Sequence, residues 1–137
     1  MIEQNLIIDP VLASFYETEP VGFKDQDWFL NSAAFGRSNI KPEDLIISLK
    51  EIEKKIGRSK NLRWREREID IDIIIYGDII IDSENLTIPH PRMHERNFVL
   101  VPSNEIAANL IDPRNKKSIN LLLRECEDIA EVKILKG

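Results

Sequence analysis

The chain is poor in several things whose absence narrows its class. It has one cysteine, Cys126, in 137 residues, so no internal disulfide can staple it, which fits a reducing cytoplasm. The setting of Cys126 in SINLLLREC reads as a small buried hydrophobe rather than a reactive thiol. No apolar run approaches the roughly 18 residues of a membrane span. The N-terminal stretch MIEQNLIIDP has no basic n-region and no small-residue cleavage site, so it does not read as a signal peptide. There is no internal repeat, no low-complexity stretch and no Pro/Ser-rich linker, so residues 1–137 are read as one domain. Neither GxxxxGK[ST] nor GxGxxG occurs, which excludes a P-loop or dinucleotide-type phosphate cradle; any phosphate must be held by side chains.

What is present is an ordinary globular composition, 42% hydrophobic and 31% charged. The net charge of −5 argues against a general nucleic-acid binder. That charge is unevenly spread. Residues 58–67, RSKNLRWRER, carry Arg58, Lys60, Arg63, Arg65 and Arg67 around Trp64 and Glu66, between acidic flanks. Such a run is by itself a solvated loop; beside a carboxylate pair it describes a polyphosphate site.

Strands are predicted at 11–19 and 28–36, separated by Pro20-Val21-Gly22 and a polar loop. Pro42 opens a helix whose Leu45, Leu49, Ile52 and Ile56 share one face, with Gly57 as its C-cap. EIDIDIIIY (68–76) is the clearest strand pattern, followed by a Gly77-Asp78 turn. NFVLVP (97–102) reads as extended, 103–110 and 118–126 as short helices, and EVKIL as a closing strand. This order implies an α+β sandwich with a mostly antiparallel sheet.

Alternation places Ile69, Ile71, Ile73 and Ile75 on one face of the 68–76 strand, and Glu68, Asp70 and Asp72 on the other. Two aspartates at i, i+2 hold like charges about 6 to 7 Å apart, a pair that a magnesium ion would relieve. Alternation alone equally suits a solvated polar face. Ile74 continues that face as apolar, which favours partial cover and the metal. His90 and His94 stand at i, i+4, but Pro89 and Pro91 flank the first and no third ligand is nearby, so zinc is not expected. Phe29 and Phe98, taken alone, read as core.

Taken together, FYETEPVG (15–22), DQDWFLN (25–31), RW…REIDIDIIIYGD (63–78), LTIPHPRMHERNFVLVP (86–102) and EIA (105–107), in this order and spacing, resemble the 6-hydroxymethyl-7,8-dihydropterin pyrophosphokinase family. The resemblance implies a ferredoxin-like α+β fold and transfer of pyrophosphate from ATP to the pterin hydroxymethyl group, releasing AMP. It implies that Asp70 and Asp72 bind two magnesium ions and that Arg58 and Arg67 act on the phosphates as catalytic residues. It places Glu53, Lys60, Ile73, Thr87, His90 and Arg96 at the ATP site. It places Thr18, Pro20, Val21, Phe29, Asn31 and Phe98 at the pterin, with the two phenylalanines sandwiching it. The implied partners are these small molecules, with no nucleic acid and no membrane, and an intact chain is expected to be a cytoplasmic monomer. A non-catalytic relic of the family and an RNA or DNA binder using loop 58–67 are the rival readings.

The pattern departs from the family in places. Arg65-Glu66 stands where Gly-Pro is frequent, and loop 58–64 is one residue short. The family's N-terminal strand, with its Gly-Ser-Asn turn, and most of its first helix have no counterpart. The expectation is therefore that Met1 is an internal start, that the natural frame extends upstream, and that the short chain alone is poorly soluble or inactive.

Overall fold

The computed structural model describes residues 6–18, 29–59 and 70–135, the side chains at 29 and 57–59 excepted. It is an α+β chain of three helices and short antiparallel strand pairs. In chain order the elements are β1 (Ile8–Leu12), β2 (Tyr16–Thr18), β3 (Phe29–Asn31), β4 (Ala34–Arg37), α1 (Pro42–Ser59), β5 (Ile81–Asp82), β6 (Thr87–Ile88), α2 (Asn97–Ala107), β7 (Ile111–Asp112), β8 (Lys117–Ser118), α3 (Ile119–Glu125) and β9 (Val132–Ile134). A 3₁₀ turn at Met93–Glu95 leads into α2.

The strands predicted at 11–19 and 28–36 are each broken in two. β1 pairs with β4, Val11 opposite Phe35, and β2 lies between β3 and β9 in a three-stranded sheet. At the break the Ser32 hydroxyl donates to the Ala13 and Ser14 carbonyls, both at 3.1 Å, so side chains replace part of the ladder at the bend. Gly36 is required by close approach: a Cβ there would meet the Ile7 side chain and the Ile8 carbonyl.

α1 follows the sequence pattern. Pro42 and the acidic Glu43 and Asp44 occupy its first turn, where a missing N–H is harmless and negative charge suits the dipole. Leu45, Leu49 and Ile52 are buried on one face. Gly57 is not its C-cap, since the helix runs on to Ser59.

Among the described residues, 70–76 form no ladder with another strand, contrary to that part of the strand predicted at 68–76; Glu68 and Ile69 lie outside the described residues. Their backbone groups are satisfied otherwise. The Glu53 carboxylate accepts the Ile71 N–H, the Lys50 ammonium donates to the Ile71 carbonyl at 2.9 Å, and the His90 N–H donates to the Ile74 carbonyl at 2.8 Å. The isoleucines divide between two cores. Ile71 and Ile73 pack with Leu6, Leu45, Leu49, Ile52 and Ile88. Ile74 and Ile75 pack with Met93, Leu100, Ile119 and Leu122. Alternation therefore holds through Ile74 and fails at Ile75, which joins its neighbour. The turn after it is as predicted, with Gly77 at φ 57°.

The segment 97–102, expected to be extended, is the first half of α2. Its β-branched and aromatic residues and Pro102 disfavour a helix locally. Tertiary packing overrides this: Leu100 is fully buried between α2 and α3. The helix start is capped from outside, the Asp128 carboxylate accepting the Asn97 N–H at 3.0 Å. α3 begins at its own cap, the Ser118 hydroxyl accepting the Leu121 N–H. Cys126 is half-buried against the second core, as a hydrophobe.

Glu105 of α2 clasps the helix to β2. Its carboxylate accepts the Tyr16 hydroxyl at 2.6 Å, the Ser14 N–H at 3.1 Å and the Ser14 hydroxyl at 3.1 Å. The hydrogen bond from Tyr16 and that from the Ser14 N–H hold the Glu105 carboxyl below its ordinary range. The same bond, with burial, pushes the Tyr16 hydroxyl up to about 12, so it remains a donor.

Two outcomes are expected. Leu49→Ala removes a side chain from the first core and lowers unfolding free energy by about 2 to 5 kcal/mol in a denaturant titration. Glu105→Gln and Tyr16→Phe each lower the melting temperature at neutral pH, and the double mutant loses less than their sum. Because the folded Glu105 carboxyl is depressed, its stabilisation is present above the unfolded value and is lost as pH falls through the folded one. The gap in melting temperature between wild type and Glu105→Gln should begin to narrow below the ordinary glutamate value of about 4.3 and close as pH falls through the folded one.

Candidate active site

A cleft of about 230 Å³ opens beside residues 70–76. It is lined by Ile46 and Lys50 of α1, by Asp72 and Ile73, and by Leu86, Thr87 and His90 of the β5–β6 hairpin and the turn after it. This volume falls below the roughly 300 Å³ lower bound of whole-ligand pockets, so it suits part of a ligand, such as a base. The hairpin is positioned from behind by Arg114, which donates to the Asp82 carboxylate at 3.0 Å and to the Ile88 carbonyl at 3.2 Å.

His90 is held at both ends. Its N–H meets the Ile74 carbonyl, and its Nδ1 accepts the Arg92 N–H at 3.3 Å. Burial pushes its pKa down; the carboxylate of Asp72 opposes the shift and the Arg96 guanidinium adds to it. A neutral ring whose Nδ1 is an acceptor carries its proton on Nε2, and so offers one N–H donor. The His94 Nε2 lies 3.6 Å from the Glu95 carboxylate.

The acidic pair stands at the rim. The Asp70 side chain is 77% exposed and that of Asp72 39%. The Lys50 ammonium reaches both, at 3.2 Å from Asp70 Oδ1 and 3.3 Å from Asp72 Oδ1, and also donates to Glu53 Oε2 at 3.0 Å. Burial opposes a charged Lys50, but the Glu53 and Asp70 hydrogen bonds and the Asp72 charge outweigh it and raise its pKa. Among the described residues no group of three or more His, Cys, Asp or Glu side chains gathers as a metal cage. Magnesium needs only one or two protein carboxylates, with water and phosphate oxygens completing its shell. The residues fit that ion: the two aspartates are hard oxygen donors, and with the Glu53 carboxylate and the Ile71 carbonyl they already gather around a cation, Lys50.

A second group lies on α2 and the β2–β3 pair. The Thr18 hydroxyl, almost fully buried, accepts from the Asn31 amide at 2.7 Å across the strands. Phe98 is half-buried at the start of α2, with the Arg96 guanidinium 5.6 Å from its ring centre. Phe98 is thus not a core residue. α2 packs against both β2 and β3.

Of the residues singled out in the sequence, Asp72, Ile73, Thr87 and His90 share the cleft, and Asp70 and Glu53 join it through Lys50. Phe98, Thr18 and Asn31 are not part of that cleft's lining, and Arg96 lies outside the lining but close enough to act on the charge of His90. Pro20, Val21, Lys60 and Arg67, and the side chains of Phe29 and Arg58, lie outside the described residues. Ile46 and Lys50 were missed. Their signal was the spacing of Ile46, Lys50 and Glu53 at i, i+4 and i+7, a second helical stripe beside the buried one.

The chain matches the family model for 7,8-dihydro-6-hydroxymethylpterin-pyrophosphokinase over residues 2–108. It is 41% identical over 122 residues to the 2-amino-4-hydroxy-6-hydroxymethyldihydropteridine pyrophosphokinase of Haemophilus influenzae, a match covering 89% of this chain and 76% of that protein. The protein of the same name from Aquifex aeolicus is 36% identical over 118 residues, covering 86% and 73%. That from Bacillus subtilis is 43% identical over 95 residues, covering 69% and 57%. Thr87, His90, the rim aspartates and Phe98 all fall inside the matched range, and the chain belongs to the 7,8-dihydro-6-hydroxymethylpterin-pyrophosphokinase family.

Proposed function

We propose that this chain transfers pyrophosphate from ATP to 6-hydroxymethyl-7,8-dihydropterin in folate synthesis, releasing AMP. The observation that carries the reading is the convergence of Asp72, Ile73, Thr87 and His90 on one cleft with an acidic pair at its rim. The cleft takes the adenine and its sugar: Ile73, Ile46 and Leu86 supply apolar walls, and Thr87 and the His90 Nε2–H supply directional contacts. Asp70 and Asp72 would hold magnesium, two ions in our reading, beside the site for the triphosphate. When bound, magnesium supplies charge neutralisation at the phosphate oxygens.

The chain's own contribution is positioning and electrostatics. Arg96, beside Phe98, faces both ligands. Phe98 and Phe29 stack on the pterin, while Asn31, Thr18 and the segment with Pro20 and Val21 meet its polar edge. Arg58, Lys60 and Arg67 draw charge from the transferred group. The pterin hydroxyl attacks the β-phosphorus in line, its O–P bond forming as the bond to the AMP oxygen breaks; such transfers need little from a general base. In this reading the short ladders belong to a ferredoxin-like sandwich and the enzyme works as a cytoplasmic monomer. Among the described residues no helix is long and apolar enough to cross a membrane.

AMP release from ATP and Mg²⁺, dependent on added hydroxymethyldihydropterin, tests the activity; no AMP above background would leave only a non-catalytic relative. In the active enzyme, Asp70→Asn and Asp72→Asn should each cut turnover by about 100-fold or more with folding retained by circular dichroism. Phe98→Ala should weaken pterin binding by about 1 to 3 kcal/mol in calorimetry, on the scale of base–aromatic stacking, with ATP affinity unchanged. Equal loss for both ligands together with lower stability would return Phe98 to a packing role.

A further inference from the structure

The roles carried over from the family leave Lys50 without one, yet its ammonium sits at the centre of the acidic rim. Four oxygens surround it at hydrogen-bonding distance: Ile71 O at 2.9 Å, Glu53 Oε2 at 3.0 Å, Asp70 Oδ1 at 3.2 Å and Asp72 Oδ1 at 3.3 Å. An ammonium has three protons for these four acceptors. Three of the acceptors are carboxylates, so the net charge of the group is −2 with Lys50 and −3 without it. The aspartates are therefore not a bare repelling pair; they already share a tethered cation. That cation is half-exposed at the cleft edge, on a long flexible stem, so it can leave without disturbing the core.

We propose that Lys50 is a resident counter-ion of the Asp70–Asp72 pair, which a divalent ion must displace before those carboxylates can take it up. The inference rests on the reading of the pair as the metal site and adds who holds it beforehand. Two consequences follow from the geometry. Residues 70–72, which have no ladder to order them, stay docked on α1 in the absence of metal because Lys50 and Glu53 tie them there. A displaced ammonium remains at the rim of the cleft, where a polyphosphate would receive it, so free ions bind weakly and ions arriving with a nucleotide bind well. Lys50 is in this sense a positioning residue.

The test is binding of Mn²⁺ alone, followed by the paramagnetic signal of the free ion, to wild type, Lys50→Met, Lys50→Arg and Asp72→Asn. Lys50→Met should bind Mn²⁺ about tenfold tighter than wild type, the scale of two part-exposed ion pairs no longer broken. Lys50→Arg should resemble wild type, and Asp72→Asn should abolish the site. The melting temperature of Lys50→Met should be lower than wild type without Mn²⁺ and should rise further on its addition. If Lys50→Met does not fold, Lys50→Gln, which keeps hydrogen bonds but not charge, should give the same direction. Equal Mn²⁺ affinity in wild type and Lys50→Met, lost in Asp72→Asn, would overturn the counter-ion role and leave the metal pair intact. Mn²⁺ binding indifferent to Asp72 in every variant would sink the metal pair, and the counter-ion role with it.

Discussion

The docking of residues 70–76 onto α1 is the contact on which the rest of the site depends. An extended segment without a partner strand leaves polar backbone groups that must be paired elsewhere. Glu53 and Lys50 take both backbone groups of Ile71, and the His90 N–H takes the Ile74 carbonyl. With those groups satisfied, Ile71 and Ile73 can enter one core and Ile74 and Ile75 the other. The same arrangement leaves the two aspartates at the surface and brings the His90 ring to the cleft. Structural and chemical roles are therefore shared by one small set of side chains.

α2 does comparable work on the other side. Its N-terminus is fixed by Asp128, its body by Leu100 and its far end by the Glu105 clasp to Ser14 and Tyr16. These three anchors set where Phe98 and Arg96 lie relative to β2 and β3. None of the anchors is itself a candidate ligand contact, so changes at Asp128 or Glu105 would reach Phe98 and Arg96 only through helix position.

The charge pattern accounts for the separation of labour. Acidic oxygens gather at the rim around Lys50, while Arg92 and Arg96 flank His90 and, with burial, keep its ring neutral. A neutral donor suits an uncharged base, whereas the anionic rim suits a cation and would repel a bare phosphate. Arg96 stands over the Phe98 ring at the start of α2, so a guanidinium and an aromatic face are presented together.

Much of this was legible in the chain itself. The 3.6-residue spacing of Leu45, Leu49 and Ile52 specifies α1, because burial of one helical face follows periodicity directly. The Asp-Ile-Asp pattern marks the acidic rim, and Gly77 marks the turn, because each depends on neighbouring residues alone. The ordered segments around Pro20, Asp70, His90 and Phe98 identify the family. Other features depended on contacts between residues far apart. Gly57 reads as a helix end and is not one, and NFVLVP reads as extended but is helical because Leu100 is buried against α3. The break at Ala13–Phe15 rests on Ser32, a serine between β3 and β4. Above all, Lys50 and Asp70 are twenty residues apart. Local pattern determined that two carboxylates would stand together; only the packing of α1 against residues 70–76 decided which cation stands between them.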